Sequence, residues 1–246
     1  FTGAVSLNTA AGAGNDASLI NAAIALDLGA STVGGTYTIE TNAGSIIDSG
    51  VLTITGASSF TTTTANDDIT LDQVNLFTGA VSLATNGATG NISVTNVGAA
   101  LNLGTITTTL TGTLAIETNT GSITDSGVTT ASGTSSYAIT VAGDDITLDQ
   151  ISTYTGAITI TAAGAGSDVS ITNANLDVDL GTTTVGGNLV IETDNNSITD
   201  SGVLTITGTS TFTTTEAAGD ITLDQISSFT GAVSLNTAAG AGNDAS

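Results

Sequence analysis

Apolar and polar residues alternate in short runs along the whole chain, a pattern that turns every second side chain toward one face of a strand. Leu114 and Ile116 lie in one such run. Ile146 and Leu148 lie in another. The runs are rich in Val, Ile and Thr, which favour strands, and Gly, Asn and Asp separate them. We therefore predict an all-β protein.

The alternating runs recur with a long period. The phrase FTGAVSL at Phe1 returns at Phe77 and Phe229, and it appears as YTGAITI at Tyr154. The first eighteen residues return unchanged at the end of the sequence. Such self-similarity is typical of solenoids, which grow by stacking. We predict one continuous solenoid with repeats at residues 1–76, 77–153 and 154–228, followed by the start of the next repeat at 229–246.

Short strands that end in Asp or Asn indicate a finer rhythm within each repeat. These ends are Asn21, Asp48, Asp72, Asn96, Asp125, Asp149, Asn173, Asp200 and Asp224. If each strand returns one layer higher, the chain forms a right-handed parallel β-helix. We predict a β-solenoid of about nine to ten coils of roughly 24–29 residues, with three coils per 76-residue repeat and uncapped ends. The alternative is an antiparallel sandwich, but only Asn86–Gly87 has the sequence of a tight hairpin turn.

The composition limits the molecules that the chain is expected to bind. The 246 residues include 22 carboxylates and no Lys, Arg, His, Cys, Met, Trp or Pro, which gives a net charge of −22. Binding to nucleic acid or to anionic lipid depends on basic residues, so neither is an expected partner, and no apolar run suggests membrane insertion. The absence of Cys removes disulfides and thiol chemistry. These features suit an exposed extracellular protein.

Two pairs of carboxylates, Asp67–Asp68 and Asp144–Asp145, suggest glycoside hydrolysis, which uses paired acids. These pairs recur with the scaffold, and the chain has no His, Lys or Arg to tune a proton. We interpret them as residues of solvated bends. The sequence therefore predicts no enzyme, no catalytic residue and no cofactor-binding residue.

Calcium and ice are two further candidate ligands. AGAGNDASL from Ala11 and AGAGSDVSI from Ala163 partly match a calcium-binding nonapeptide, but the middle copy, NGATGNISV from Asn86, lacks the Asp. We predict no cofactor and no metal site, with calcium as the alternative. Ice binding requires Thr ladders on successive layers, and FTTTT at Phe60 becomes YAITV at Tyr137 in the next repeat.

The aromatic residues occupy two equivalent positions in the repeats. One is Phe60, Tyr137 and Phe212, and the other is Phe1, Phe77, Tyr154 and Phe229. We predict that they fill the core, the alternative being a platform for sugars.

Several long phrases resemble the shafts of very large bacterial surface proteins of the filamentous haemagglutinin type. They are ALNLGTITTTLTGTLAIETNTGSITDSG from Ala100, DLGTTTVGGNLVIETDNNSITDSGVLTITGTSTF from Asp179 and DDITLDQVNLFTGAVSL from Asp67. The resemblance implies secretion, a right-handed β-helix and a role as an adhesin or matrix fibre. No polar cap protects the terminal coils, so the expected partner is the chain itself, end to end. We predict a structural segment of a prokaryotic extracellular fibre or biofilm matrix, the alternative being a solenoid that binds glycans, surfaces or calcium.

Overall fold

The computed structural model describes residues 1–22, 24–173, 176–194, 196–215, 219–238 and 244–246. The strands in the first half of the chain are β1 (Ala17–Asn21), β2 (Leu26–Leu28), β3 (Ser31–Val33), β4 (Tyr37–Thr41), β5 (Ile46–Asp48), β6 (Leu52–Ile54), β7 (Ser58–Ala65), β8 (Ile69–Phe77), β9 (Val81–Asn86), β10 (Ile92–Asn96), β11 (Leu101–Thr107), β12 (Leu114–Thr118) and β13 (Ile123–Asp125). Those in the second half are β14 (Thr129–Ala131), β15 (Ser135–Ile139), β16 (Ile146–Tyr154), β17 (Ile158–Ala162), β18 (Val169–Asn173), β19 (Val178–Val185), β20 (Leu189–Thr193), β21 (Ile198–Asp200), β22 (Leu204–Ile206), β23 (Ser210–Thr214), β24 (Ile221–Thr222), β25 (Ser228–Phe229) and β26 (Val233–Thr237).

The described strands form two long sheets with parallel pairing. The first sheet has 12 strands in the order β1-β4-β7-β9-β11-β13-β16-β18-β20-β23-β26, with β14 beside this path. The second sheet has 14 strands and follows β2-β5-β8-β10-β12-β15-β17-β19-β21-β24, with β3, β6, β22 and β25 beside it. The chain visits the sheets alternately and completes about ten coils along the eleven strands of the first path. The prediction of an all-β parallel solenoid is confirmed, and no part of the described chain forms a helix that could span a membrane.

The coils are shorter than the length predicted from the sequence. Ala17 pairs with Tyr37 and Ser58 pairs with Val81, and the difference in residue number is 20 for the first pair and 23 for the second. The other registers between named strands lie within this range. A coil of this size leaves part of each 76-residue repeat beyond its third coil.

The number of half-coils in a repeat explains why the coils are shorter than predicted. A half-coil is the part of a coil that lies in one sheet. A narrow half-coil has one inward-facing stretch, such as β4, whereas a wide half-coil has two stretches around a bend, such as β5 and β6. Counted by strands, the repeats begin at β1, β10 and β18 and not at Phe1, Phe77 and Tyr154, so Phe77 lies in the first repeat and Tyr154 in the second. The first repeat runs through narrow β1, wide β2–β3, narrow β4, wide β5–β6, narrow β7, wide β8 and narrow β9, and the second starts at narrow β10. Each repeat therefore completes three coils and half of a fourth.

The odd number of half-coils moves each repeat to the opposite side of the rod. The related strands β4 (YTIET), β12 (LAIET) and β20 (LVIET) lie in the first, second and first sheet.

The predicted column of Asp and Asn residues contains both inward-facing and outward-facing acids. Asp48 faces inward because Ile46, two residues earlier, does so, whereas Asp72 follows inward-facing Leu71 and is exposed. Asp149 and Asp224 are exposed for the same reason.

The two sheets enclose one aliphatic core. The predicted inward residues Leu114, Ile116, Ile146 and Leu148 are all buried. The prediction that aromatic residues fill the core is confirmed for five of them, which are at most 1% exposed: Phe60, Phe77, Tyr137, Tyr154 and Phe212. Their rings pack edge to face, with centroids 5.9 Å apart for Phe60–Phe77 and 6.2 Å apart for Tyr137–Tyr154. Phe229 is only partly buried, and Phe1, which lies outside the paired strands, is 62% exposed.

The Gly in the recurring phrase FTGA marks a corner where coils touch. A Cβ on Gly79 would overlap the carbonyl oxygen of Gly56, and a Cβ on Gly56 would overlap that of Gly35. A side chain at either position would push the backbones apart, so this corner requires Gly.

Candidate functional site

The paired carboxylates that suggested hydrolysis hold neighbouring coils together. Asp67 Oδ2 accepts a hydrogen bond from the backbone N–H of Gly44 at 2.7 Å, and Asp68 Oδ1 accepts one from Asn91 at 2.7 Å. Gly44 belongs to the preceding coil and Asn91 to the following one. Charge-assisted bonds of this kind are stronger than neutral ones, so each pair ties three coils together.

The pair Asp144–Asp145 makes the same contacts in the second repeat. Asp144 Oδ2 accepts from Gly121 N–H at 2.7 Å, and Asp145 Oδ1 accepts from Asp168 N–H at 2.8 Å. In the third repeat Gly219 replaces the first acid of the pair, and the second, Asp220, accepts from Asp244 N–H at 2.9 Å. The acid that bonds to the following coil therefore occurs in all three repeats.

The residues that suggested calcium also bridge coils. Asp16 Oδ1 accepts from Thr36 N–H at 2.7 Å, and Asp168 Oδ1 accepts from Asn188 N–H at 2.6 Å. In the middle copy the amide oxygen of Asn91 accepts from the backbone N–H of Thr113 at 2.9 Å. The neutral amide of Asn91 thus accepts the same hydrogen bond between coils that a carboxylate accepts in the other two copies. Among the residues the structure describes, no three or more acids are grouped so as to hold a metal ion.

A shallow groove of about 360 Å³ crosses the first sheet beside this bridge. It is lined by Asp145, Thr147, Asp168, Val169, Ser170, Asn188 and Val190. One oxygen of Asp145 and one of Asp168 are already engaged with backbone N–H groups. The two acids that line the groove therefore take part in the hydrogen bonds between coils.

Each repeat also buries one carboxyl at the bend of its second wide half-coil. These residues are Asp48, Asp125 and Asp200, and they are 5%, 9% and 5% exposed. Each accepts the backbone N–H one coil further along, from Asp72 at 2.9 Å, Asp149 at 2.9 Å and Asp224 at 2.8 Å. All three belong to the predicted column of Asp and Asn residues, in which their burial was not predicted, although each lies two residues after an inward-facing Ile.

The second repeat combines its buried acid with two phenols. The hydroxyl groups of Tyr137 and Tyr154 lie 2.8 Å apart. Burial raises the pKa of Tyr154 to about 12 and the pKa of Tyr137 well above its usual value, and the nearby Thr129 hydroxyl opposes both shifts. The first repeat has Phe60, Phe77 and Leu52 at these positions, and the third has Phe212, Phe229 and Leu204. The three polar substitutions therefore occur together.

Outward-facing hydroxyl groups form columns that the sequence did not reveal. On the first sheet Thr107 is in register with Thr130, and Thr130 is in register with Thr153. On the second sheet a similar column runs through Thr161, Thr184, Thr205 and Ser228. The run at Phe60 reaches the register of the first column at Thr61, but Ala84 separates Thr61 from Thr107. The run at Tyr137 lies in the opposite sheet. The residues of each column are far apart in sequence, and the strand register aligns them.

The contact between repeats has the same form as the contact within them. At the first junction β9 pairs with β11 and β8 with β10, and at the second β16 pairs with β18 and β17 with β19. All four pairs are parallel and lie in the continuous sheets. A repeat therefore offers its neighbour a ladder of backbone hydrogen bonds.

Comparison with known proteins identifies the repeat unit. Residues 13–84, 89–161 and 166–236 match one family model, described as repeats of unknown function (DUF5649). These segments extend from β1 to β9, from β10 to β17 and from β18 to β26, so each contains seven half-coils. No curated protein and no solved structure matches the chain. Because the three matches cover most of its length, the chain belongs to the family of repeats of unknown function (DUF5649).

Proposed function

We propose that this chain is a structural segment of an extracellular prokaryotic fibre or giant surface adhesin, and that its stacked coils provide mechanical extension. One observation supports the proposal: strand pairing continues across both repeat junctions in the same parallel form as within a repeat. Stability in such an array comes from contacts between neighbours, so length can increase by adding repeats. The resemblance to shafts of the filamentous haemagglutinin type supports the same function.

The partner in this proposal is another stretch of the same solenoid. Among the described strands, β1 and β26 each have one neighbour along the first sheet, and we propose that their outer edges accept a further coil. Further repeats, or a second copy placed end to end, would supply the matching edge. The proposed segment is not an enzyme, needs no cofactor and binds neither nucleic acid nor membrane lipid.

The test compares purified chains that carry three and six repeats by electron microscopy. With 3.5 coils per repeat and about 4.8 Å per coil, each added repeat should lengthen the rod by about 17 Å. A six-repeat chain that forms a wider or globular particle would contradict the proposal. Antibody labelling of intact cells that make the protein tests its proposed location, and labelling only after lysis would contradict it.

The hydroxyl columns favour a second candidate function, adhesion to glycans or to another hydroxyl-rich surface. Thr130 is exposed, and Thr107 and Thr153 extend the column over three coils. Thr130→Val should weaken retention on immobilised polysaccharide if this column binds it, whereas Thr172→Val, on the same sheet but in register with Glu192, should not. If both variants are retained as well as the unchanged chain, the column does not bind glycans. Binding that disappears in EDTA would instead support the calcium-dependent alternative.

A further inference from the structure

The buried acids lack any basic partner. Asp48, Asp125 and Asp200 are at least nine-tenths buried in a chain with no Lys, Arg or His. A charged group removed from water is strongly destabilising unless a counter-charge or several hydrogen bonds compensate it. No metal-holding group of three acids occurs among the described residues, so a proton is the available neutralising group.

The first repeat gives its acid a polar partner. Asp48 Oδ2 accepts a hydrogen bond from Asn75 Nδ2 at 2.6 Å, and Asn75 Oδ1 accepts one from Leu52 N–H at 2.8 Å. The second oxygen, Oδ1, accepts the backbone N–H of Asp72. Both oxygens of Asp48 therefore have well-placed donors.

The second and third repeats lack this partner. Ser152 and Ser227 replace Asn75, and the Oγ of each accepts a backbone N–H, from Thr129 at 3.0 Å and from Leu204 at 2.9 Å. Asp200 keeps backbone donors on Oδ1, and its Oδ2 has no hydrogen-bond partner among the described residues.

Asp125 keeps only backbone donors, with Asp149 N–H 2.9 Å from Oδ1 and Gln150 N–H 3.3 Å from Oδ2. The loss of the amide donor leaves the buried charge of Asp125 less compensated than that of Asp48.

The titratable groups around Asp125 add no positive charge. They are Asp149 on β16 and the phenols of Tyr137 and Tyr154 on β15 and β16. Burial is the main cause that raises the pKa of Asp125 to about 6, and the charge of Asp149 adds to it, while the backbone hydrogen bonds oppose the shift.

We propose that Asp125 is a proton-dependent lock in the second repeat: one proton taken up in mildly acidic solution removes its buried charge and stabilises that repeat against local opening. The folded repeat binds this proton more tightly than the unfolded chain does. The stabilisation is therefore complete below the pKa of an unfolded Asp and is lost as the pH rises through about 6. Between pH 5 and pH 7 the local opening equilibrium should increase by about tenfold.

Hydrogen exchange in the three-repeat chain tests this lock. After correction for intrinsic exchange rates, the amides of Asp149 and Gln150 should lose about tenfold in protection between pH 5 and pH 7. The amide of Asp72, which donates to Asp48, is the control within the same chain and should lose less. Equal changes at Asp72 and Asp149 would overturn the proposal.

Two variants connect the effect to the carboxyl. Asp125→Asn removes the ionisable group and should make the protection of Asp149 independent of pH, relative to Asp72. Ser152→Asn supplies an Asn75-like donor and should reduce the difference between pH 5 and pH 7. If Asp125→Asn does not fold, the carboxyl of Asp125 in the unchanged chain still gives an answer, because its carbon NMR signal should titrate near pH 6. Titration near pH 4 would overturn the proposal.

Discussion

At the scale of single residues, the same letters have different structural requirements in different copies. Gly3 and Gly79 both belong to the phrase FTGA. A Cβ on Gly3 would meet nothing within 4 Å, whereas one on Gly79 would overlap the backbone of Gly56. The need for Gly thus comes from the coil beneath, a contact that the local sequence does not display.

We expect Gly79→Ala to lower the free energy of unfolding by about 1–3 kcal/mol, because the coils must separate to admit the methyl group. Gly3→Ala is the matched control and should change it by less than about 0.5 kcal/mol. Urea denaturation followed by circular dichroism measures both. Equal effects at the two positions would show that the close corner is not the cause.

The tyrosine pair gives a second prediction at this scale. Tyr137→Phe leaves the hydroxyl of Tyr154 buried without its partner, so the free energy of unfolding should fall by about 1–3 kcal/mol. The triple variant Tyr137→Phe, Tyr154→Phe and Thr129→Leu recreates the core of the other two repeats and should be more stable than the single variant. The same denaturation experiment measures both, and a triple variant with the summed losses of the single ones would contradict the coupling.

At the scale of strands and bends, local alternation predicted the fold, whereas pairing between distant strands determines how the half-coils stack. Leu114 and Ile116 face inward because the period of two is a property of the strand itself. Which half-coils share a sheet depends on the register, since the wide β11 lies beside the narrow β9 at the first junction. The acids of SIID and ITLD were placed in one column, although Asp48 faces inward and Asp72 outward. The period of two distinguishes them, because Asp48 lies two residues after inward-facing Ile46 and Asp72 one residue after inward-facing Leu71. The residues alone did not display the backbone N–H of the next coil that each buried acid accepts.

The bridging residues of the bends yield a prediction that separates structure from calcium binding. Asn91 performs in the middle copy the function that Asp168 performs in the third, so Asp168→Asn should change the free energy of unfolding by less than about 0.5 kcal/mol. Asp168→Ala leaves Asn188 N–H without its acceptor and should cost about 1 kcal/mol. Thermal denaturation with calcium and with EDTA measures both. A calcium-dependent melting temperature that Asp168→Asn abolishes would contradict the structural interpretation.

At the scale of the whole molecule, the half-coil left over in each repeat determines how the surface is arranged. Asp68 precedes a strand of the second sheet, Asp145 one of the first, and Asp220 again one of the second. Equivalent acids on one side are therefore seven coils apart, about 34 Å, which is well beyond the screening length of about 8 Å at physiological salt. This spacing limits the repulsion between equivalent acids within a rod whose net charge is −22.

The alternation of sides is directly measurable. Val51, Val128 and Val203 are equivalent, 43%, 44% and 45% exposed, and lie at bends of the second, first and second sheet. Because the chain has no Cys, Val→Cys substitutions in pairs allow spin labels to be attached at these sites alone. We expect about 34 Å between labels at 51 and 203, which are separated mainly along the rod. The distances 51–128 and 128–203 each include the width of the rod, so their sum should clearly exceed the distance 51–203. Three labels on one side would instead give two short distances that add up to the long one, and that result would exclude the half-coil offset.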